Sequence, residues 1–290
     1  MFLITTIAAL AALLAASWSD IRTREVPDWL NYSLIAVGLA NGFIASILFK
    51  TWTFAAFSLA GLLIFVGLAY LMFYAGQWGG GDSKLIMGLG ALFGFEFSLQ
   101  YPFVDSSGFL IAFWLNTLLA GVTYAVIWSI VLALRNTDKV KAKFFEEMRK
   151  LRMSRNTVIV ITIALVLLSL FTDDKGIRMA LFMLAVLGFV SFYLLVLVRS
   201  VERSCMFKLR APSQLTEGDW IAKEVRVSGN YICGPKDLGI SKKQIARLVM
   251  LARRGKVSKI LIKEGIPFVP SFLAGFLMTL GFGNIVFSFL

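Results

Sequence analysis

Apolar residues fall in long runs along this chain, at roughly 2–19, 31–49, 52–75, 83–99, 108–134, 156–171, 177–198 and 267–289. A soluble core has no need of runs this long. Stretches of about 18 or more residues nearly free of charge predict helices that cross a membrane; the run 156–171 is the shortest. Every backbone donor and acceptor must be satisfied within lipid, so helices are the expected spanning form. The pattern predicts an all-α polytopic membrane protein, a helical bundle of about eight spans.

Two stretches break this pattern. Residues 135–155, RNTDKVKAKFFEEMRKLRMSR, are basic and carry Phe144, Phe145, Met148 and Leu151 at helical spacing. That is the pattern of a helix lying on an anionic leaflet, with the lipid bilayer rather than nucleic acid as its partner. Residues 200–266 form the long polar stretch. There WIAKEVRV alternates as a half-buried strand does, and GNYICG reads as a short strand between turn residues. ISKKQIARLVMLARRG reads as an amphipathic helix and VSKILIKEG as a further strand. A small α+β domain follows, near the lower size limit for a stable core and expected to lean on the membrane part.

The organisation expected is a membrane core over 1–134, a basic amphipathic linker over 135–155 and an additional hairpin over 156–199. The small domain over 200–266 and a last helix over 267–290 complete it. No internal repeat is evident.

Charge orients the bundle. With the first end outside, segments 20–30, 76–84, 135–155 and 199–266 fall on one side and hold 26 of the 29 Lys and Arg residues. Lys50, Lys175 and Arg178 remain for the other side, which also takes Asp105, Asp173 and Asp174. Positive residues concentrate on the cytoplasmic side, so the small domain is expected there. The N-terminal run has no basic residue ahead of it, unlike a signal peptide, and is expected to be retained as a first helix.

The net charge of +12 is thus a matter of topology. The chain has no histidine and two cysteines, Cys205 and Cys233. That excludes histidine-based triads and His-ligated zinc, and the cysteine spacing makes no zinc or redox motif. Neither a cofactor nor a metal is expected.

The stretch GQWGGGDSKLIMGLG, 76–90, sets Asp82 after Gly79, Gly80 and Gly81 at the mouth of an apolar span. A carboxylate there is costly and needs a reason. Two complete spans separate it from Asp20, in SDIRTREVPDWLN, so both leave the membrane on the same face. Two carboxylates held together cannot both ionise cheaply and share a proton near neutrality. One can take a proton from water while the other polarises a carbonyl, which is aspartic-protease chemistry. Glycines at 79–81 would let an extended backbone approach the pair. A structural account is also open: Asp20 and Asp28 can cap the second helix or pair with Arg22 and Arg24, and Asp82 can cap the fourth. Asp28, after Pro27, fits a helix start better than catalysis. Lys84 reads as an interfacial lysine, with pKa tuning of Asp82 or substrate contact as the alternative. Gly88 and Gly90 suit close helix approach.

At these residues the chain resembles a known family. DIRTREVPDWLN (20–31) and GGGDSKL (79–85) are similar to the two motifs of the prepilin peptidases, membrane aspartyl proteases of the G-x-G-D type that include archaeal preflagellin peptidases. EGIPFVPSF (264–272), with Pro267 and Pro270, resembles their closing motif, and the stretch from LTEGDW resembles a module of archaeal members. The likeness is strongest over 1–95 and 200–290.

The resemblance implies that Asp20 and Asp82 are the catalytic pair. The implied substrates are pilin-like or archaellin precursors with class III signal peptides, cut where a short basic leader meets a hydrophobic helix. Bacterial members often carry an N-terminal module with paired cysteines and methyltransferase activity. This chain begins with a helix and lacks those cysteines, so no N-methylation is expected. The family core has about six spans, which makes 156–198 an inserted hairpin. Presenilin-like proteases share G-x-G-D but place their first aspartate in a Y-D pair, whereas Asp20 follows Ser19. A rival from another class is a transporter or channel with Asp20 and Asp82 as charge sites. Repeated halves and mid-depth helix breaks, its usual signs, are not evident.

Overall fold

A computed structural model describes residues 2–95 and 107–284. Eight apolar helices occupy the eight predicted places: α1 (Phe2–Thr23), α2 (Asp28–Leu48), α3 (Thr53–Tyr74), α4 (Gly80–Phe93), α5 (Ser107–Arg135), α7 (Arg152–Leu170), α8 (Lys175–Val201) and α10 (Val269–Phe282). Among the described residues, six of these are long and apolar enough to cross a membrane, namely α1, α2, α3, α5, α7 and α8. The remaining two, α4 and α10, have 14 residues each, or about 21 Å of helix. The ends of the predicted spans at 96–99 and 285–289, and the outer-loop Asp105, lie outside the described residues.

The two short helices are the most enclosed. Leu85, Ile86 and Leu89 of α4 and Val269, Phe272 and Phe276 of α10 are fully or almost fully buried. They share one core with Ala9, Leu13 and Ala16 of α1, Leu30 and Leu34 of α2 and Phe113 of α5. The close approach expected at Gly88 and Gly90 is present. A Cβ at Gly88 would lie 2.9 Å from Leu34 Cδ2, and one at Gly90 2.5 Å from the Gly61 carbonyl oxygen. By contrast, α7 and α8 expose most of their apolar side chains, as a lipid-facing hairpin does.

The basic stretch is divided more finely than its sequence suggests. Residue 135 closes α5, α6 covers Thr137–Lys150, and Arg152–Arg155 already belong to the first turn of α7. On α6, Val140 packs with Val201 at the end of α8 and with Met206 in the turn that follows it, and the buried Glu147 pairs with Arg203 and Lys150. Phe145 is exposed.

The C-terminal α+β unit has strands β1 (Phe207–Arg210), β2 (Trp220–Ile221), β3 (Val225–Val227), β4 (Asn230–Cys233) and β5 (Ile260–Lys263), with helix α9 (Lys242–Arg253). Its three-stranded sheet has the order β1-β5-β2, all antiparallel; β3 and β4 form a separate pair. WIAKEVRV is therefore not one strand. Its two ends, β2 and β3, join different sheets, a choice that alternation alone cannot reveal. Strands β4 and β5 and helix α9 fall where the pattern places them, and Ser241 caps α9 through the Gln244 N–H. Leu248, Leu251, Ile260, Ile262, Ile232 and Cys233 make its core. Both cysteines are unpaired. Burial, then the nearby Asp237 carboxylate, pushes the Cys233 thiol up to about 11, so it stays protonated and inert.

Candidate active site

The first carboxylate sits in the last turn of α1. That helix ends because Arg24 adopts a left-handed φ of 63° and Val26 precedes Pro27, which disfavours a helical backbone. Ser19 Oγ donates to the Glu25 carbonyl at 2.7 Å, and Thr23 Oγ1 to the same oxygen at 3.3 Å, locking the turn. Asp20 is 5% exposed. Its Oδ2 accepts the backbone N–H of Val269, the first residue of α10, at 3.0 Å. The segment carrying Pro267 and Pro270 is thus brought to Asp20. Pro270 lies in the first turn of α10, where a missing N–H costs nothing.

The second carboxylate arrives through the turn after α3. Gly76, at φ 67°, closes that helix with the Gln77 N–H bonded to the Met72 carbonyl at 3.0 Å. Trp78 then drops into the core at 2% exposure. Its ring meets Trp114 at 5.4 Å and Phe272 at 5.1 Å, both edge-on, and Phe268 at 5.9 Å. These contacts fix where the glycine turn starts. Asp82 is in the first turn of α4, and its Oδ2 accepts the Gly79 N–H at 3.2 Å. It therefore does cap a helix start, from the third position rather than as the N-cap.

The three glycines have different surroundings. A Cβ at Gly81 would come within 3.2 Å of Val26, so glycine lets the two carboxylate motifs pack together. Asn31 Nδ2 reaches the Gly81 carbonyl at 3.4 Å from α2. Gly80 faces open space.

Asp28 and Lys84 are partners. Lys84 Nζ lies 2.6 Å from Asp28 Oδ1 and 5.5 Å above the Tyr32 ring. Asp28 is 64% exposed, the first residue of α2, as a helix-start role requires. Among the described residues, no three His, Cys, Asp or Glu side chains cluster as a metal site.

The chain's similarity to known proteins falls on these same segments. Residues 7–134 match the Type IV leader peptidase family. That match includes both carboxylate motifs. The chain is 29% identical to the prepilin peptidase EppA of Methanothermobacter thermautotrophicus over 68% of its own length and 52% of that protein. It is 28% identical to a preflagellin peptidase of Methanococcus maripaludis, over 50% of this chain and 71% of the relative. To the preflagellin peptidase of Methanocaldococcus jannaschii it is 31% identical, over 50% of this chain and 63% of the relative. The chain thus spans about half the length of the first of these relatives. No solved structure matches it significantly. The resemblance read from the motifs at 20–31 and 79–85 is borne out by these matches.

Sequence reasoning missed Trp78, the Val269 N–H and the reach of Arg24 to Gly265, having weighed Arg24 only as an ion partner of Asp20 or Asp28. Trp78 immediately precedes GGGD and carried a signal, since a tryptophan beside three glycines is a natural anchor for them. The other two gave none.

Proposed function

We propose that this protein is a membrane aspartic endopeptidase that removes the short basic leader from pilin-like or archaellin precursors with class III signal peptides. The observation that supports the reading is the packing of the Asp20 and Asp82 motifs against each other, Val26 beside Gly81, within the segment similar to leader peptidases. An ionised carboxylate takes a proton from water as the oxygen attacks the scissile carbonyl carbon; the protonated one polarises the carbonyl oxygen. When the C–N bond breaks, the amine leaves with the proton that the dyad took from water, which returns the pair to its one shared proton. The backbone N–H groups of Val269 and Gly79 hold the two carboxylates in place without neutralising them. Gly80, open on its outer side, leaves room for a substrate backbone. No N-methyltransferase activity is part of this proposal.

The same reading places the dyad and the α+β unit at the cytoplasmic face, with the precursor's hydrophobic helix staying in the bilayer. It keeps 1–134 as the catalytic core, 135–155 as a basic linker on the lipid surface, 156–199 as an added hairpin, 200–266 as the small domain and 267–290 as the last helix. What supports this is the clustering of Lys and Arg in the segments at one end of the helices. Cysteine labelling tests it in a variant with Cys205 and Cys233 replaced by Ser. A cysteine at Ser154 or Ser213, both exposed, is expected to resist an impermeant thiol reagent in intact cells, while one at Asp173 reacts. Outside labelling at Ser213→Cys reverses the orientation.

Cleavage by a carboxylate pair needs no ion. Precursor cleavage by the purified protein is therefore expected to continue in EDTA. Loss of activity that zinc restores would replace the dyad mechanism with a metal-assisted one.

A further inference from the structure

We propose that the α+β unit is a working part of the active site, with Arg24 and Trp220 as positioning residues that hold the Asp20 and Asp82 motifs in mutual register. This rests on the dyad reading above. The central strand of the three-stranded sheet, β5, ends at Lys263, and residues 264–268 alone separate it from Val269, whose N–H is bound to Asp20. A shift of the sheet is therefore transmitted to that hydrogen bond over a very short length of chain.

The connecting segment is held along its course. Glu264 pairs with Lys208 at 2.5 Å and Arg210 at 2.8 Å on β1, and its N–H donates to the Met206 carbonyl at 2.8 Å. The Gly265 carbonyl then accepts from Arg24 Nη1 at 2.7 Å. Arg24 follows the Asp20 helix directly. Its guanidinium also lies 5.6 Å above the Trp128 ring of α5, which fixes the side chain from a second direction. A left-handed backbone at a non-glycine residue persists where its surroundings hold it. Here glycine or asparagine would suit the backbone, but neither could reach Gly265 and Trp128.

The other edge of the same sheet lies beside the turn that leads into the second motif. Trp220 of β2 pairs with Lys263 of β5, and its ring edge lies 3.4 Å from where a Cβ on Gly76 would stand. Gly76 opens the turn that leads through Trp78 to Asp82. One sheet is therefore linked to both arms of the dyad, through Gly265 to Arg24 and through Trp220 to Gly76. Carboxylates that share a proton act only at close range, and a misplacement of about 1 Å costs on the order of 100-fold in rate.

The test uses the full chain in detergent, with a precursor carrying a short basic leader ahead of a hydrophobic segment. Arg24→Gly and Trp220→Ala are each expected to lower kcat about 10- to 100-fold, with KM within about twofold of the wild type. Arg24→Gly relieves the strained backbone, so it should melt no lower than the wild type and still be slow. A merely structural arginine predicts the opposite, a glycine variant with full kcat. Trp220→Phe, which keeps a ring on Gly76, should recover most of the rate lost in Trp220→Ala. A raised KM with kcat unchanged would make these residues leader contacts and overturn the proposal. Unchanged kinetics beside an inactive Asp20→Asn would overturn it while leaving the proposed function standing. An Asp20→Asn variant that still cleaves removes both.

Discussion

Asp20→Asn and Asp82→Asn are each expected to abolish precursor cleavage, with kcat lower by about 1,000-fold or more, and with expression, membrane insertion and helicity unchanged. Asparagine keeps the shape of both side chains. Its carbonyl oxygen can still accept the Val269 N–H at position 20 and the Gly79 N–H at position 82. What it cannot do is take a proton from water. The double variant should be scarcely slower than either single one, because the two carboxylates act as a unit. Removing one of two repelling carboxyl groups leaves the fold at least as stable. Asp28→Asn is the control. Its pairing with Lys84 is surface-exposed and worth about 1 kcal/mol or less, so substantial activity should remain. A dead Asp28→Asn beside an active Asp20→Asn would move the first catalytic assignment to the start of α2.

Trp78→Ala is expected to be the most damaging substitution away from the carboxylates. The indole is buried against Trp114, Phe268 and Phe272. Truncating such a ring costs about 3–5 kcal/mol. The loss falls on the residue just before the glycine turn, so kcat should fall together with the melting temperature. Trp78→Phe retains an aromatic ring against the same neighbours and should recover part of both. Thermal unfolding in detergent and steady-state cleavage of the same preparations check this. A Trp78→Ala variant of wild-type stability and rate would show that the turn is held by other contacts.

The helices were legible because each is specified by its own residues. Twenty apolar positions in a row can satisfy their backbone polar groups in lipid as a helix, whatever the rest of the chain does. For the same reason α9 was legible from its periodicity. Asp82 stood out because three glycines and a carboxylate at the mouth of an apolar run are locally anomalous. Asp20 followed from parity, since two complete spans return the chain to the face it left. The motifs also carried the likeness to leader peptidases, over the segment where the family match lies.

Other features depended on residues far apart in sequence meeting in space. The division of WIAKEVRV between two sheets was decided by β5 and β4, which arrive later in the chain and compete for its two ends. Lys84 and Asp28 became partners because α2 and α4 pack side by side. The Val269 N–H reaches Asp20 across 249 positions of sequence, and Arg24 reaches Gly265 across 241. No local pattern encodes such contacts. The sequence by itself determined which segments are helices, which end of the bundle gathers the charge, and which two carboxylates are candidates for chemistry. The tertiary structure decided how those carboxylates are held, because backbone hydrogen bonds and ring contacts between distant segments exist only once the bundle has packed.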